Sequence, residues 1–565
     1  MRHEKTKWYG WGSEGHFFGL EKRGKLQAYL KKHGLLKELK PKFSAPIESV
    51  KCPKSSLPPE MLSRLAKIVG EDSCNVTDQA RVRNAAGKSY RDLLNMRSLK
   101  LGAAPDVLIC PANEEQIKNI LNFCGENEIA VVPFGGGSSV VGGVEPERGS
   151  FRYLAALNTA RLDRVLDIDK KSMTAKVEAG IYGPQLESAL GQHGFMLGHF
   201  PQSFEFSTLG GWIAARSSGQ NSILYGGIED MVVALDVVSP IGGTVRTLYA
   251  PRHACGPDIK EIFVGSEGTL GLISSATLRI SRIPEVQDYS MYIFSSFEEA
   301  SEAARAVAQS GCKPAMVRVS DEEESLAMFA MSGGGHGFFS GLISSAAKTY
   351  FGLRGVWLSK GFSVMLVGFE GGSDEVERAK TAFIEIMVDF KCVGAGSSPG
   401  KKWLKERFEL PYLRDDLMDN GLFVETLETA TTWSNFQRLY NGVREAVDAE
   451  CGRQNAARLI FTHISHLYHE GASLYFTIIA RKLDDDPLGQ WRSIKEAAST
   501  AIVANSGVIS HHHGIGIDHK SHLHWGVAEH GMIKGVKSAL DPNGIMNPLK
   551  LFDVKHVGKE ISEKV

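Results

Sequence analysis

Neither sign of charge prevails in this chain: 64 Lys and Arg stand against 65 Asp and Glu, a formal net charge of −1. Such a balance offers no global field to hold a polyanion, which argues against dedicated nucleic-acid binding and leaves only local basic patches. Cysteine is scarce, 8 in 565 residues with no C-x-x-C pair. A disulfide framework is thereby excluded and a reducing compartment is expected. No uninterrupted apolar run reaches bilayer length, since VVPFGGGSSVVGGV and VVALDVVSPIGG are broken by glycine and proline. The start, MRHEKTKWYGWGSEG, lacks the apolar stretch of a secretory signal, and Glu563, Lys564 and Val565 do not spell the familiar peroxisomal address. A cytoplasmic protein is expected, with a peripheral membrane contact left open. What the chain does have is glycine, 60 residues clustered at turns without a triplet period, which excludes collagen and suggests backbone-lined ligand loops. With 43% hydrophobic residues over this length, several domains or one elaborated enzyme is expected and disorder is excluded.

The pattern divides the chain. Residues 1–104 are charged and helical in pattern, with SSLPPEMLSRLAKIVGED opening after Pro58 and Pro59 and closing near Gly70, and read as an appendage. From 105 to 283 the text APDVLICPANEEQIKNILNFCGENEIAVVPFGGG gives strand, helix, strand and glycine loop, followed by the short strands SMTAKVEAG, MVVALDVVSP, GTVRTLYA and ATLRISRIP. An α+β nucleotide-binding domain fits this order. From 284 to 525, strands such as DYSMYIF, FSVMLVGFEG and ASLYFTIIAR alternate with helices such as SFEEASEAARAVAQ and VERAKTAFIEIMVDF. That alternation predicts an antiparallel sheet with helices on one side. Residues 332–356 are glycine-rich and aromatic and read as a gate over an apolar tunnel, a membrane-facing patch, or a buried loop and helix. A last segment, 526–565, holds the helix HGMIKGVKSALD and PNGIMNP and is expected to return to the cofactor domain.

A G-x-G-x-x-G match at Gly10, Gly12 and Gly15 is set aside, because it follows a charged terminus and not a strand. PFGGGSSVVGG carries more weight. It starts at Pro133, and Gly135, Gly136, Gly137, Ser138 and Ser139 leave backbone N–H groups free to approach a pyrophosphate.

Two further segments, PQSFEFSTLGGWIAARSSGQNSILYGGIEDMV (201–232) and FVGSEGTLGLI (263–273), complete a resemblance to the vanillyl-alcohol oxidase, or PCMH-type, flavoproteins. Order and spacing match that superfamily. The resemblance implies an α+β PCMH-type FAD-binding domain with a C-terminal antiparallel-sheet cap domain and a helical N-terminal extension. It also implies that Gly135 to Ser139 hold the pyrophosphate, that Ser207, Thr208, Gly210 and Gly211 lie along the flavin, and that Glu267, Gly268 and Thr269 close near the adenine and ribose. Members with covalent flavin commonly carry a histidine after the loop glycines. Ser138 stands there, so FAD is expected to be non-covalent.

From KWYGWGSEGHFFGLEKRG (7–24) to DPNGIMNP (541–548) the chain more closely resembles the alkyldihydroxyacetonephosphate synthase family. This implies a redox-neutral exchange in ether-lipid synthesis. The acyl group of 1-acyl-dihydroxyacetone phosphate gives way to a long-chain fatty alcohol, with the flavin N5 as a nucleophilic trap, in a membrane-associated homodimer. An FAD-dependent oxidase or dehydrogenase of a 2-hydroxy acid or alcohol is the alternative. The transfer needs a cation, a proton-moving group and a dry pocket. Arg414, in LPYLRDDLMDNG, matches the family's active-site arginine, although its pattern alone reads as a surface salt bridge with Asp415 or a residue one turn away. Tyr475, in GASLYFTI, alone reads as a buried hydroxyl, and the resemblance makes it the proton-handling phenol. An unperturbed phenol titrates near 10, so help is expected from His511, His512 and His513 in SHHHGIG, the last two more than the first.

THISHLYHEG departs from the family, which has arginine and glutamine where His463 and His466 stand. Resemblance to flavin dehydrogenases of D-2-hydroxy acids, which hold a divalent ion with histidines and a carboxylate from equivalent segments, would make His463, Glu470 and His512 such a set, but the G-D-G-N stretch of those relatives is absent and no metal is expected.

Overall fold

In the computed structural model, which describes residues 6–331 and 351–552, three sheets carry the architecture. The first sets the parallel strands Val107–Ile109, Tyr153–Asn158 and Ile129–Phe134 side by side, with Cys74–Asn75 antiparallel at one edge. Their near-continuous burial follows from the β-branched and apolar runs that form them. The second is an antiparallel sheet of five, ordered Val165–Asp169, Thr174–Glu178, Leu272–Arg279, Val232–Ser239 and Gly243–Arg246.

The third sheet has seven strands, all antiparallel, in the order Cys392–Gly396, Val286–Phe294, Ser363–Gly371, Met316–Ser320, Arg458–Leu467, Gly471–Arg481 and Leu422–Thr432. Its core comes from alternation. Leu474, Phe476, Ile478, Ile460, Ile464, Phe423 and Leu427 join one buried cluster with Ala300, Phe383, Val443 and Ile494 of the four covering helices. Residues one position away therefore face the opposite side. At roughly 1.5–3 kcal/mol for each large side chain buried, this layer is the main apolar support of the face that carries Tyr475.

The N-terminal helix opens at Pro59 and ends at Val69, with Gly70 at φ 90 beyond it, and further short helices run Gly24–Lys32, Asp78–Arg83 and Tyr90–Arg97. This region is no appendage: residues 6–12 are wedged between the glycine loop and the helix Leu410–Asp419, as described below. The C-terminal helix Val527–Leu540 docks through Lys537, whose ammonium donates to the Thr269 carbonyl at 2.6 Å and pairs with Asp541 at 2.5 Å. The chain then runs beside Ile129–Phe134, with Val131 N–H donating to Ile545 O at 2.8 Å. Most of the stretch 332–356 lies outside the described residues, as does the C-terminal tripeptide. Among the described residues no helix is long and apolar enough to cross a membrane.

Candidate active site

The strand Ile129–Phe134 delivers Pro133 and the glycine loop to a three-way junction. A Cβ on Gly135 would meet Thr208 Oγ1 at 2.3 Å, and one on Gly136 the Phe206 carbonyl at 2.1 Å. Gly268, at φ +70, would put a Cβ 2.8 Å from Pro133. The three motif segments thus touch one another, and glycine is required where they do. Thr208 caps the helix Leu209–Ala215 by accepting Gly211 N–H at 3.4 Å, and Gly210 lies against Ala179, where a Cβ would come within 2.8 Å. Ser207 Oγ accepts Trp212 Nε1–H at 2.6 Å, and Thr269 Oγ1 donates to Ser266 O at 2.6 Å. Ser139 Oγ accepts Gly143 N–H at 2.9 Å, which fixes the far end of the loop.

The N–H groups of Gly136, Gly137 and Ser138 donate to no protein group among the described residues. Backbone donors left unmade next to a cleft are costly without a ligand. These three line a narrow cleft with Tyr182, Phe206 and Lys88. Consecutive unused donors on side-chain-free backbone fit a pyrophosphate.

The candidate residues Tyr475, His512 and His513 lie on the side of the seven-stranded sheet away from its four helices. Register sets Tyr475 opposite His463 on one neighbouring strand and opposite Glu428 on the other. The His463 ring stacks on Tyr475 at 4.9 Å and 17°. His513 meets the same phenol edge-on at 5.6 Å, and His512 lies 6.3 Å away. His511 turns elsewhere: its Nε2 is 2.5 Å from Tyr468 Oη and its ring stacks on His466.

A residue with no motif of its own holds the histidine turn. Glu428, 2% exposed, accepts the Ser510 hydroxyl at 2.7 Å, His513 N–H at 2.8 Å and His511 N–H. From the opposite side, the Glu267 carboxylate accepts Ile515 N–H at 2.5 Å and Gly516 N–H at 2.8 Å. Glu428 lies more than 80 residues before the turn in the chain, and its only sequence signal is a carboxylate in a strand otherwise rich in apolar and threonine residues. Asn547 was likewise missed; its side chain donates to Glu267 O at 2.7 Å and Gly143 O at 3.1 Å, tying the cofactor loops together.

Burial sets the protonation states. It lowers His511 and His512 to about 4 and lowers His513 as well, with Glu428 pulling in the other direction. Burial alone would raise the Glu428 carboxyl, yet the facing imidazoles, which become charged only in acid, and the Ser510 hydroxyl keep it ionised well below the usual carboxylate range. Burial pushes the Tyr475 phenol above its ordinary value, against the Thr426 hydroxyl and the Arg414 charge. The expected help from the histidines would need a charged ring, whereas neutral rings supply no cation and burial favours the protonated phenol.

Arg414, on the helix Leu410–Asp419, is no surface salt bridge. One amine donates to the Lys88 carbonyl at 2.7 Å, its Nε is buried without a partner, and among the described residues no carboxylate pairs with it. Asp415 is occupied by Lys7 at 3.6 Å and Arg97 at 3.3 Å. A half-buried guanidinium whose Nε has no partner and which pairs with no carboxylate among the described residues is a candidate anion site.

The metal set suggested by the likeness to metal-bearing flavin dehydrogenases does not assemble. His463 is 5% exposed and bound to Arg318 and Glu324 at 3.0 and 3.1 Å, whereas Glu470 sits in the exposed turn that follows. A β-bulge between Ile464 and Leu467 rotates His466, not Glu470, to the site face. Among the described residues, His466, His511 and His512 bring ligating nitrogens within 4.8 Å, but Ser222 and Tyr468 already hydrogen-bond two of these rings.

Comparison with known proteins gives two family matches, an FAD binding domain over residues 105–248 and the C-terminal domain of FAD linked oxidases over 283–551. The alkyldihydroxyacetonephosphate synthase of Dictyostelium discoideum is 32% identical over 97% of this chain and 94% of its own. That of Trypanosoma brucei brucei is 33% identical over 97% and 92%. A solved alkyldihydroxyacetonephosphate synthase superposes with a TM-score of 0.82 at 30% identity, covering 97% of this chain and 98% of that one. The fold is the PCMH-type FAD-binding architecture expected, with its antiparallel C-terminal sheet and helical N-terminal extension. The cofactor is FAD, non-covalently bound.

Proposed function

This chain belongs to the alkyldihydroxyacetonephosphate synthase family, and we propose from that premise that it exchanges the acyl group of 1-acyl-dihydroxyacetone phosphate for a long-chain fatty alcohol in ether-lipid synthesis. The observation that carries the site assignment is the half-buried Arg414, paired with no carboxylate among the described residues and coupled to a protonated Tyr475 flanked by neutral His512 and His513. When bound, the flavin supplies a nucleophilic ring nitrogen and ends the cycle in its starting redox state. Arg414 holds the anion, either the substrate phosphate or the departing carboxylate, in the bidentate manner lysine cannot match. A phenol raised by burial gives up a proton only to a developing negative charge, so Tyr475 serves as acid and hydrogen-bond donor. His512 and His513, neutral at pH 7, accept the C1 proton. His511, bound to Tyr468, orients that pair. Gly135 to Ser139 hold the pyrophosphate, Ser207, Thr208, Gly210 and Gly211 flank the flavin, and Gly268 and Thr269 close the adenine end beside the Glu267 backbone.

The domain division belongs to the same reading: 1–104, 105–283, 284–525 and 526–565, supported by the bounds of the two family matches. So does a homodimer in the cytoplasm touching a lipid surface, where a long-chain alcohol is available. Anaerobic mixing of the FAD-loaded protein with palmitoyl-dihydroxyacetone phosphate and a fatty alcohol tests the activity. Alkyl-dihydroxyacetone phosphate by mass spectrometry, with no acceptor consumed, is expected. Absence of that product, with the flavin bleached by a 2-hydroxy acid or alcohol, would make the chain an oxidoreductase instead.

A further inference from the structure

The hairpin at residues 6–13 lies outside the matched FAD-binding domain of 105–248 and carries the G-x-G text set aside above. Thr6 pairs antiparallel with Ser13, and Lys7 N–H donates to Gly12 O at 2.8 Å. The turn is pinned to the helix that bears Arg414. Trp11 N–H donates to Asp415 Oδ2 at 2.7 Å, the Lys7 ammonium lies 3.6 Å from that oxygen, and Arg97 bridges Asp415 to the Tyr9 carbonyl. Both glycines follow from this approach. A Cβ on Gly10 would lie 2.4 Å from Asp415 Oδ2, and one on Gly12, at φ +76, 2.2 Å from Tyr412 Oη.

The inner side of the hairpin faces the cofactor loop. Trp11, 5% exposed, meets Phe206 edge-on at 5.7 Å. Together with Gly10 and Gly12 it lines the cleft that Gly136, Gly137 and Ser138 also line. Lys88 stitches the two walls: its backbone N–H donates to Ser139 O at 2.6 Å, and its ammonium to the Lys7 and Trp8 carbonyls at 3.3 and 3.4 Å. One wall therefore holds three unused backbone donors, and the other holds an indole, two glycines and a lysine. An anion lying between them gains donors from one side and is shielded from water by the other.

We infer that this hairpin is the outer wall of the FAD site: Trp11 and the backbone of Gly10 to Gly12 close over the phosphate-bearing stretch of the cofactor held on Gly136 to Ser138. Cofactor retention then depends on residues that the FAD-binding domain itself does not contain. The inference rests on FAD binding and not on alkyl exchange, so an FAD titration answers it whatever the substrate proves to be.

Full-length protein stripped of flavin is titrated with FAD by fluorescence, for wild type, Trp11→Ala, Trp11→Phe, Gly12→Ala and Glu14→Gln. Trp11→Ala and Gly12→Ala are expected to weaken FAD binding by about ten-fold or more and to speed its release, a loss beyond what the lowered melting temperature of the flavin-free protein accounts for. Trp11→Phe keeps an aromatic wall and recovers most of the affinity, and Glu14→Gln, on the exposed outer side, binds as wild type. Should Gly12→Ala fail to fold, the two Trp11 variants decide. FAD affinity of Trp11→Ala within two-fold of wild type overturns the inference. So does unchanged FAD affinity with a raised KM for acyl-dihydroxyacetone phosphate, which would assign the cleft to the substrate's phosphate.

Discussion

Glu428→Gln removes a charge and one acceptor while keeping the shape of the side chain. The carboxylate accepts three hydrogen bonds from the histidine turn, two on Oε1 and one on Oε2. An amide placed with its oxygen at Oε1 keeps two of them but as neutral bonds. Each falls from roughly 1.5–3 to roughly 0.5–1.5 kcal/mol, a loss of about 1 kcal/mol apiece. Its NH₂ then faces His511 N–H, and two buried donors without acceptors cost about 1–3 kcal/mol more. The sum, about 3–5 kcal/mol, falls on the turn and not on the whole molecule, because Glu267 still holds Ile515 and Gly516 from the other side. Amide exchange at His511 and His513 should accelerate by about a hundred- to several thousand-fold, since each 1.4 kcal/mol is a factor of ten. FAD content should stay at wild type, since Glu428 hydrogen-bonds none of the three cofactor segments. Turnover should fall by about a hundred-fold or more as His512 and His513 lose their set on Tyr475. Hydrogen-exchange mass spectrometry over 508–516, flavin absorbance and steady-state rates read the three quantities. Wild-type exchange and turnover in Glu428→Gln would refute the claim that this carboxylate positions the turn.

Tyr475→Phe should keep its FAD and lose turnover by about 10²–10⁴-fold, the range for a removed general acid, and a variant with normal kcat would end that assignment. Gly136→Val should yield colourless protein, because even a Cβ there would press to 2.1 Å from the Phe206 carbonyl; normal flavin absorbance would contradict the loop's role. The pH profile follows from rings held near 4. His512, one of the two proposed bases, stays neutral as pH falls through the free-imidazole value near 6.5 and takes up a proton only near 4, so the acid limb of kcat/KM should centre near 4. A limb between pH 6 and 7 in the FAD-loaded enzyme would show that these rings are not the required base.

The parts legible in the sequence are those set by local pattern. GASLYFTIIAR was legible as a strand, although its lone tyrosine read as a buried hydroxyl; the structure sets Tyr475 on the face opposite Leu474 and Phe476, which pack under the helices. The glycine loop was readable because its text follows a β-branched run, and the structure adds the contacts with Thr208 and Phe206 that demand glycine. Three features were not readable, each for a physical reason. A strand places every second residue on one face, so His463 and His466 should diverge; the bulge that brings both to the site has no mark in the text. The anchors Glu428, Glu267 and Asp415 act across more than 80, 240 and 400 residues, separations that no periodicity records. The glycines of WYGWG resembled a nucleotide fingerprint, yet they answer to Asp415 and Tyr412 pressed against them.

These long-range carboxylates also explain how one site keeps neutral imidazoles beside an acid. Glu428 spends its oxygens on two backbone N–H groups and a hydroxyl, so it remains ionised without taking a proton from the rings, whose Nδ1 atoms stay 3.6 and 3.7 Å away at His512 and His513. A closer ring hydrogen bond would stabilise the imidazolium and raise its pKa, leaving no base for the C1 proton. With the carboxylate engaged by the turn itself, burial decides the rings, and they stay neutral. The same burial keeps the Tyr475 proton in place. Under the proposed function the sheet face then offers a proton donor and an acceptor side by side at neutral pH, with the Arg414 guanidinium, which pairs with no carboxylate among the described residues, as the cation for an exchange that begins and ends on an anionic ketone phosphate.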